Sequence, residues 1–183
     1  MPPLAATIHV FTFKRGLLAA VGHDLRLSFG RFHGESRDGA VEARFDLTSL
    51  SSDGAVSRPG ATPEPLPRIY TDEIERNARS KVLAVERYPT ATWQGRVDLD
   101  RGVAEGSLAL HGKTAPVHGT VRAEAGGAVA VFELVPSNFG IRPFRAMAGA
   151  LRLEDRVRVE ATVRWGDGPP PRRARFEGPK GPA

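Results

Sequence analysis

The 183-residue sequence has no cysteine, which excludes disulfides and thiolate metal sites. It has no run of 18 or more apolar residues, so no integral membrane helix is expected. It also lacks a basic N-terminal segment followed by a long apolar stretch. LLAAV at 17–21 is too short for a signal peptide, and a cytoplasmic protein is expected. No nucleophile motif, phosphate loop or paired carboxylates are present, and no βαβ spacing suggests a parallel sheet. The net charge is modest at +5. Arg172, Arg173, Arg175 and Lys180 against Asp167 and Glu177 place +2 of it in 166–183. The remaining +3 is no nucleic-acid footprint. The Pro- and Gly-rich segment 166–183 has few apolar side chains and reads as a disordered basic tail behind one domain, 1–165.

What the sequence does have is period two. In RVRVEATVRW (156–165), Val157, Val159, Ala161, Val163 and Trp165 share one face, and Arg156, Arg158, Glu160, Thr162 and Arg164 share the other. That alternation is a half-buried strand. Val41, Ala43, Phe45 and Leu47 repeat it, as do Ala91, Trp93, Val97 and Leu99. His23, Leu25, Leu27 and Phe29 form a further inward set, and the slip near Gly30–Phe32 predicts a bulge. With strands near 6–13 and 128–136, the count is about eight, separated by turn signals. One helix is expected over 71–83, with Thr71 as N-cap and Ile74, Ala78 and Val82 on one stripe. A second helical turn fits 143–151, and 51–67 reads as a long Pro-rich surface loop. The class is all-β, a sandwich or barrel.

The stretch SLALHGKTAPVHG (107–119) is a hairpin. A turn at Gly112–Lys113 sets Leu110 opposite Ala115, Leu108 opposite Val117, and Gly106 opposite Gly119. His111 and His118 then lie roughly 13 Å apart at about 3.3 Å per residue, too far to share a metal. The inner face carries Ala104, Gly106, Ala115, Gly119 and Ala123, too little volume to fill a barrel alone. Either large side chains from elsewhere fill that space, or it is a ligand cavity. The sequence leaves both open.

Four segments resemble one family. LALHGKTAPV is similar to the L-x-L-H-G-x-T-x-x-V hairpin of the YceI-like, polyisoprenoid-binding family. RSKVLAVERYPTATW resembles its helix-to-strand segment, with Arg79, Ser80, Val85, Tyr88, Pro89 and Trp93 in the matching places. VPSNFGI resembles its S-x-x-D-F-G-I stretch, with Asn138 at the aspartate position, and FGRFHG its early F-x-x-F-x-G. The resemblance spans about residues 5 to 165. It implies an eight-stranded antiparallel lipocalin-like β-barrel with one or two short helices, one beside the mouth. It also implies an apolar channel for isoprenoid or quinone-type amphiphiles and no catalytic residue set.

The expected function is therefore binding of a long-chain amphiphile, without cofactor, metal or nucleic acid. About ten buried methylenes at roughly 0.8 kcal/mol each give about 8 kcal/mol gross. The lining is expected among Leu25, Leu27, Phe29, Phe45, Trp93, Leu108, Val117, Gly119, Val121, Val159 and Trp165, with Arg142 and Arg145 at the mouth to meet a phosphate head group. Two alternatives stand beside it. One is an enzyme with His23 as general base; the other is a partner-interaction module using the 51–67 loop and the basic tail. The sequence leaves oligomeric state open, a homodimer included.

Overall fold

The alternating segments form strands in a computed structural model that describes residues 2–15 and 24–181. They are β1 (Leu4–Arg15), β2 (Asp24–Phe29), β3 (Phe32–Arg37), β4 (Ala40–Asp46), β5 (Leu50–Val56), β6 (Thr90–Asp98), β7 (Val103–Leu110), β8 (Lys113–Glu124), β9 (Gly127–Leu134), the two-residue β10 (Arg145–Ala146), β11 (Leu151–Arg164) and β12 (Arg173–Glu177). One helix, α1 (Arg68–Asn77), continues into a π-helical turn over 78–82. Nine strands close a ring in the order β1, β11, β9, β8, β7, β6, β4, β3, β12 and back to β1. β2 and β5 lie outside it: β2 pairs with β1 over His9–Thr12, and β5 pairs with β2.

The ring explains the hydrophobic alternation. Directly opposed residues on neighbouring strands point the same way, so Gly34, Ala43, Trp93, Leu108 and Ala115 form one inward row. Polar and charged residues such as Glu35, Glu42, Gln94 and Glu105 occupy outward positions. The interior divides into two clusters. One joins Trp93, Leu108, Val117, Phe139 and Ile141; the other joins Ala6, Ile8 and Phe32, and Phe45 packs against both.

Several expectations are corrected. The ring holds nine strands rather than eight, because the C-terminal segment expected to be disordered supplies β12. Its Ala174 and Phe176 take inward positions against Ser36 and Gly34, while Arg173, Arg175 and Glu177 take the other face. Two apolar side chains suffice once both strand edges stand ready to pair. The expected loop 51–67 begins as β5; its polar residues concealed a strand, because Asp53 is held by Arg26 (2.8 Å) and Ser28 (2.6 Å). Glu64 also pairs back to Ala55. At Gly30–Arg31 the chain leaves β2 outside the ring and starts β3 within it, a strand change rather than a bulge. The helical turn expected near 143–151 is present as a 3-10 turn over 147–149, directly after β10.

The helix begins three residues before Thr71, with Pro67 at the N-cap position. The Thr71 hydroxyl instead bonds back to the Leu66 and Pro67 carbonyls at 3.4 and 3.5 Å, as interior helical threonines do. The hairpin turns at His111–Gly112, so that Leu110 faces Lys113 and Leu108 faces Ala115. His111 and Gly112 have φ of +53° and +75°, the two positive values a type I′ turn requires. The register moves by two residues from the expected one, so every side chain keeps its face.

Candidate functional site

The candidate site is the inside of the barrel. Around β6, β7 and β8 the wall is sealed: Ala91, Trp93, Ala104, Leu108, Val117 and Val121 are all buried. Across from it, inward-facing Val10, Ala130, Phe132, Val157, Val159 and Val163 remain partly exposed. The inner face of β1, β9 and β11 is therefore less completely covered than that of β6, β7 and β8.

Aromatic rings occupy much of the volume that small residues vacate. A Cβ on Gly119 would stand 2.7 Å from the Phe132 ring, and one on Gly95 would stand 2.7 Å from Trp93. Trp93 and Phe132 meet edge to face with centroids 5.8 Å apart. Of the two readings of the small-residue hairpin, side chains from elsewhere account for the space above Gly119.

Among the described residues, three polar atoms sit on the inner surface without a hydrogen-bond partner: Trp93 Nε1, Thr12 Oγ1 and Ser52 Oγ. Thr12 and Ser52 reach that face through β2, opposite Leu25 and Leu27 respectively. A sealed, unbonded donor costs roughly 1–3 kcal/mol and calls for a structural or functional explanation.

The expected lining residues distribute unevenly. Trp93, Leu108 and Val117 share one cluster, with Phe45 packed against it; Gly119 and Val121 lie beside them on β8. Val159 and Phe29 pack on the second cluster. Leu25, Leu27 and Phe29 belong to β2, so they extend the wall beyond the ring. Trp165 follows the end of β11, and its indole donates to the Gly168 carbonyl at 3.2 Å, away from the other lining residues. Arg142 and Arg145 are exposed near β10. His23 lies outside the described residues. Sequence reasoning omitted Phe32, Phe132, Phe139, Ile141 and Phe176. The parity of Phe132 against Gly119 would have found the second.

The two hairpin histidines have separate surroundings. His118 is 74 % exposed and lies 4.0 Å from Glu105, while the His111 ring rests on Tyr88 at 4.4 Å. Among the described residues no group of three or more His, Cys, Asp or Glu could hold a metal ion. On the outer face of β1, burial and the neighbouring Arg26 lower the His9 pKa, against the opposing pull of Asp53 and Glu160. Burial raises the Asp46 pKa, but hydrogen bonds from Thr48 and Arg31 outweigh it and hold the carboxyl below its usual range.

The mouth of the barrel is where the distinctive segments converge. Tyr88 packs on both residues of the His111–Gly112 turn. Gly140 lies against the Lys113 side chain, where a Cβ would come within 3.3 Å. Phe139 and Ile141 are buried at 2 % and 4 %, and Val82 and Leu83 pack on the same cluster. Arg79 donates to the Leu50 carbonyl and to Glu75 (2.9 Å), and Glu75 accepts from the Ser52 amide (2.9 Å). These bonds fasten α1 and the π turn to β5.

A family model described as the YceI-like domain matches residues 5–165. The chain belongs to this family. Its fold is also similar to that of BcnA from Burkholderia cenocepacia, with 14 % identity, a TM-score of 0.54, and coverage of 86 % of this chain and 94 % of that one. A polyisoprenoid binding domain from Saccharophagus degradans, implicated in plant cell wall breakdown, gives 16 % identity, a TM-score of 0.50, and coverage of 86 % and 91 %. No curated protein matches the sequence. The YceI-like match ends at residue 165, before β12, the strand that completes the ring. Among the described residues no helix is long and apolar enough to cross a membrane.

Proposed function

We propose that this YceI-like barrel binds one long-chain amphiphile of isoprenoid or quinone type, as a carrier rather than a catalyst. The carrying observation is the pairing of an apolar, partly open inner wall with unbonded donors, Trp93 Nε1 above all. A hydrocarbon tail would use the wall formed by Val10, Phe132, Val157 and Val159. A carbonyl or hydroxyl on the ligand would accept from the indole, recovering about 1 kcal/mol of net hydrogen-bond free energy. Membership of the family and the polyisoprenoid-binding neighbour support this reading. An open surface groove of about 680 Å³ is lined by charged residues including Glu35, Arg37, Glu42 and Arg173, and so is unsuited to a hydrocarbon chain. Arg142 and Arg145 are the proposed contacts for a charged head group.

The test is mass spectrometry of an organic extract from natively purified protein, with isothermal titration of the delipidated chain against a prenyl quinone. A co-purifying amphiphile and saturable 1:1 binding are expected. An empty extract together with no heat of binding would end the proposal.

A further inference from the structure

The C-terminal segment closes the barrel, and it does so unevenly. β12 pairs with β3 over five residues, Arg173–Glu177 against Arg37–His33. With β1 it pairs at only two positions, Leu4 with Phe176 and Ala5 with Glu177. On its other edge β1 runs against β11 from Ala5 to Arg15. β2 takes up the β12 side of β1 only from His9 onward. Among the described residues, Ala6–Ile8 therefore have no strand partner on that side.

The inner surface at this seam is apolar. Ala6 and Ile8 are buried at 5 % and 8 % and pack with Phe32, Phe29 and Phe176. The Phe176 ring lies on the backbone of Gly34 so closely that a Cβ there would be 2.2 Å from it. The Gly178 amide bonds to the Phe32 carbonyl at 2.9 Å. A Cβ on Gly178 would meet the Phe32 ring at 2.6 Å, and Phe32 is fully buried. The mouth, by contrast, is stoppered by Phe139 and Ile141, which belong to a packed cluster with Trp93, Leu108 and Val117. The least-paired joint of the ring thus stands directly over an aromatic filling contributed partly by the removable strand.

We propose that the ring opens at the β1–β12 seam: β12 swings off β1 on its β3 hinge, lifts Phe176 from Gly34, and admits a hydrocarbon chain sideways. Phe176 is the plug that occupies the chain's place when the barrel is empty. This rests on the ligand-binding reading above. It adds a gate made of residues beyond the YceI-like match, and it makes the depth available to a ligand depend on one C-terminal side chain.

The absence of cysteine from the chain makes the test direct. Ala5→Cys with Glu177→Cys bridges the seam, and Glu35→Cys with Arg175→Cys bridges β12 to β3. Paired strand neighbours lie about 4.8 Å apart, within the roughly 4.4–6.8 Å Cα span of a disulfide. Retinol uptake is followed by stopped-flow fluorescence in oxidised and reduced forms, with circular dichroism to confirm the fold. The seam bridge is expected to slow uptake about tenfold or more when oxidised and to recover on reduction, as for a locked lid. The β3 bridge should leave the rate unchanged. Phe176→Ala, which leaves the register intact, should speed uptake. Equal rates for the oxidised and reduced seam pair would overturn the gate and leave ligand binding standing, and so would slowing by the β3 bridge alone. Absence of retinol binding in every form, the unmodified chain included, would remove the binding reading and the gate with it.

Discussion

Trp93 and Phe132 meet edge to face at 5.8 Å across the barrel, and the Trp93 indole N–H has no acceptor. The ring is held by packing alone, so its polar atom is surplus to the empty fold. Trp93→Phe should leave the apo protein equally stable or about 1 kcal/mol more stable, because an unbonded buried donor disappears. Affinity for a prenyl quinone should fall roughly fivefold, the equivalent of about 1 kcal/mol, while affinity for a prenyl hydrocarbon of the same length stays level. Chemical denaturation and calorimetry of both ligands check the two halves. An equal loss for both ligands would reduce Trp93 to a shape-forming residue.

The contrast between Trp93 and Phe176 shows what the sequence made legible. Trp93 sits in clean alternation within TATWQGRVD, so its face and its strand follow from local order. Phe176 sits in RARFE between Pro- and Gly-rich flanks, and nothing local says that both β3 and β1 offer edges there. The same limit hid β5, where LSSDGAV pairs with β2 and Arg26 and Ser28 from β2 take up Asp53. The hairpin register differs by two residues from the one the hydrophobic pattern predicts, while every face is kept. Period-two patterning fixes parity, and the turn residues with positive φ fix the register. Unbonded polar atoms on the inner surface are a property of packing and have no signature in sequence at all.

Gly119 is a close-approach site. A Cβ there would stand 2.4 Å from the Val131 carbonyl oxygen and 2.7 Å from the Phe132 ring. The carbonyl belongs to a paired strand and has little freedom to yield. Gly119→Ala should therefore destabilise by about 1–3 kcal/mol, the usual cost of overpacking. Adding Phe132→Leu relieves the ring contact but not the carbonyl contact, so the double variant should recover only part of the loss. Thermal denaturation of the two single variants and the double variant measures this. Full recovery would place the whole clash on the ring.

Arg79 fastens the helical cap to the barrel through the Leu50 carbonyl and the Glu75 carboxylate. Its side chain is 35 % exposed, so solvent screening weakens the ion pair and the carbonyl bonds carry more of the effect. Arg79→Ala is expected to destabilise by about 1–2 kcal/mol, within the usual range for bonds involving a charged group. The more specific result is local. Amide exchange over 68–82 should accelerate while β6, β7 and β8 remain protected, because the helix loses its tie and the ring does not. Uniform acceleration across the chain would show that the cap and the barrel unfold as one unit.

His9 lies on the outer face of β1, opposite Ser28 and Glu160 and edge-on to Phe11, which is 1 % exposed. Burial and Arg26 lower its pKa from the ordinary 6.5, with Asp53 and Glu160 pulling the other way. The folded state therefore binds this proton less readily than the unfolded chain does. Stability from the neutral imidazole is fully present above about pH 6.5 and is lost as pH falls toward the lower folded value. His9→Gln keeps a polar side chain of similar reach and removes the titration. Its melting temperature should depend less on pH between roughly 7 and 5 than that of the unmodified protein. Asp46 acts in the same direction but in the carboxylate range, so its loss of stability begins at lower pH and the two effects separate. Melting curves at half-unit pH intervals give the comparison. Parallel curves for the two proteins across that window would mean that His9 titrates alike in the folded and unfolded chain.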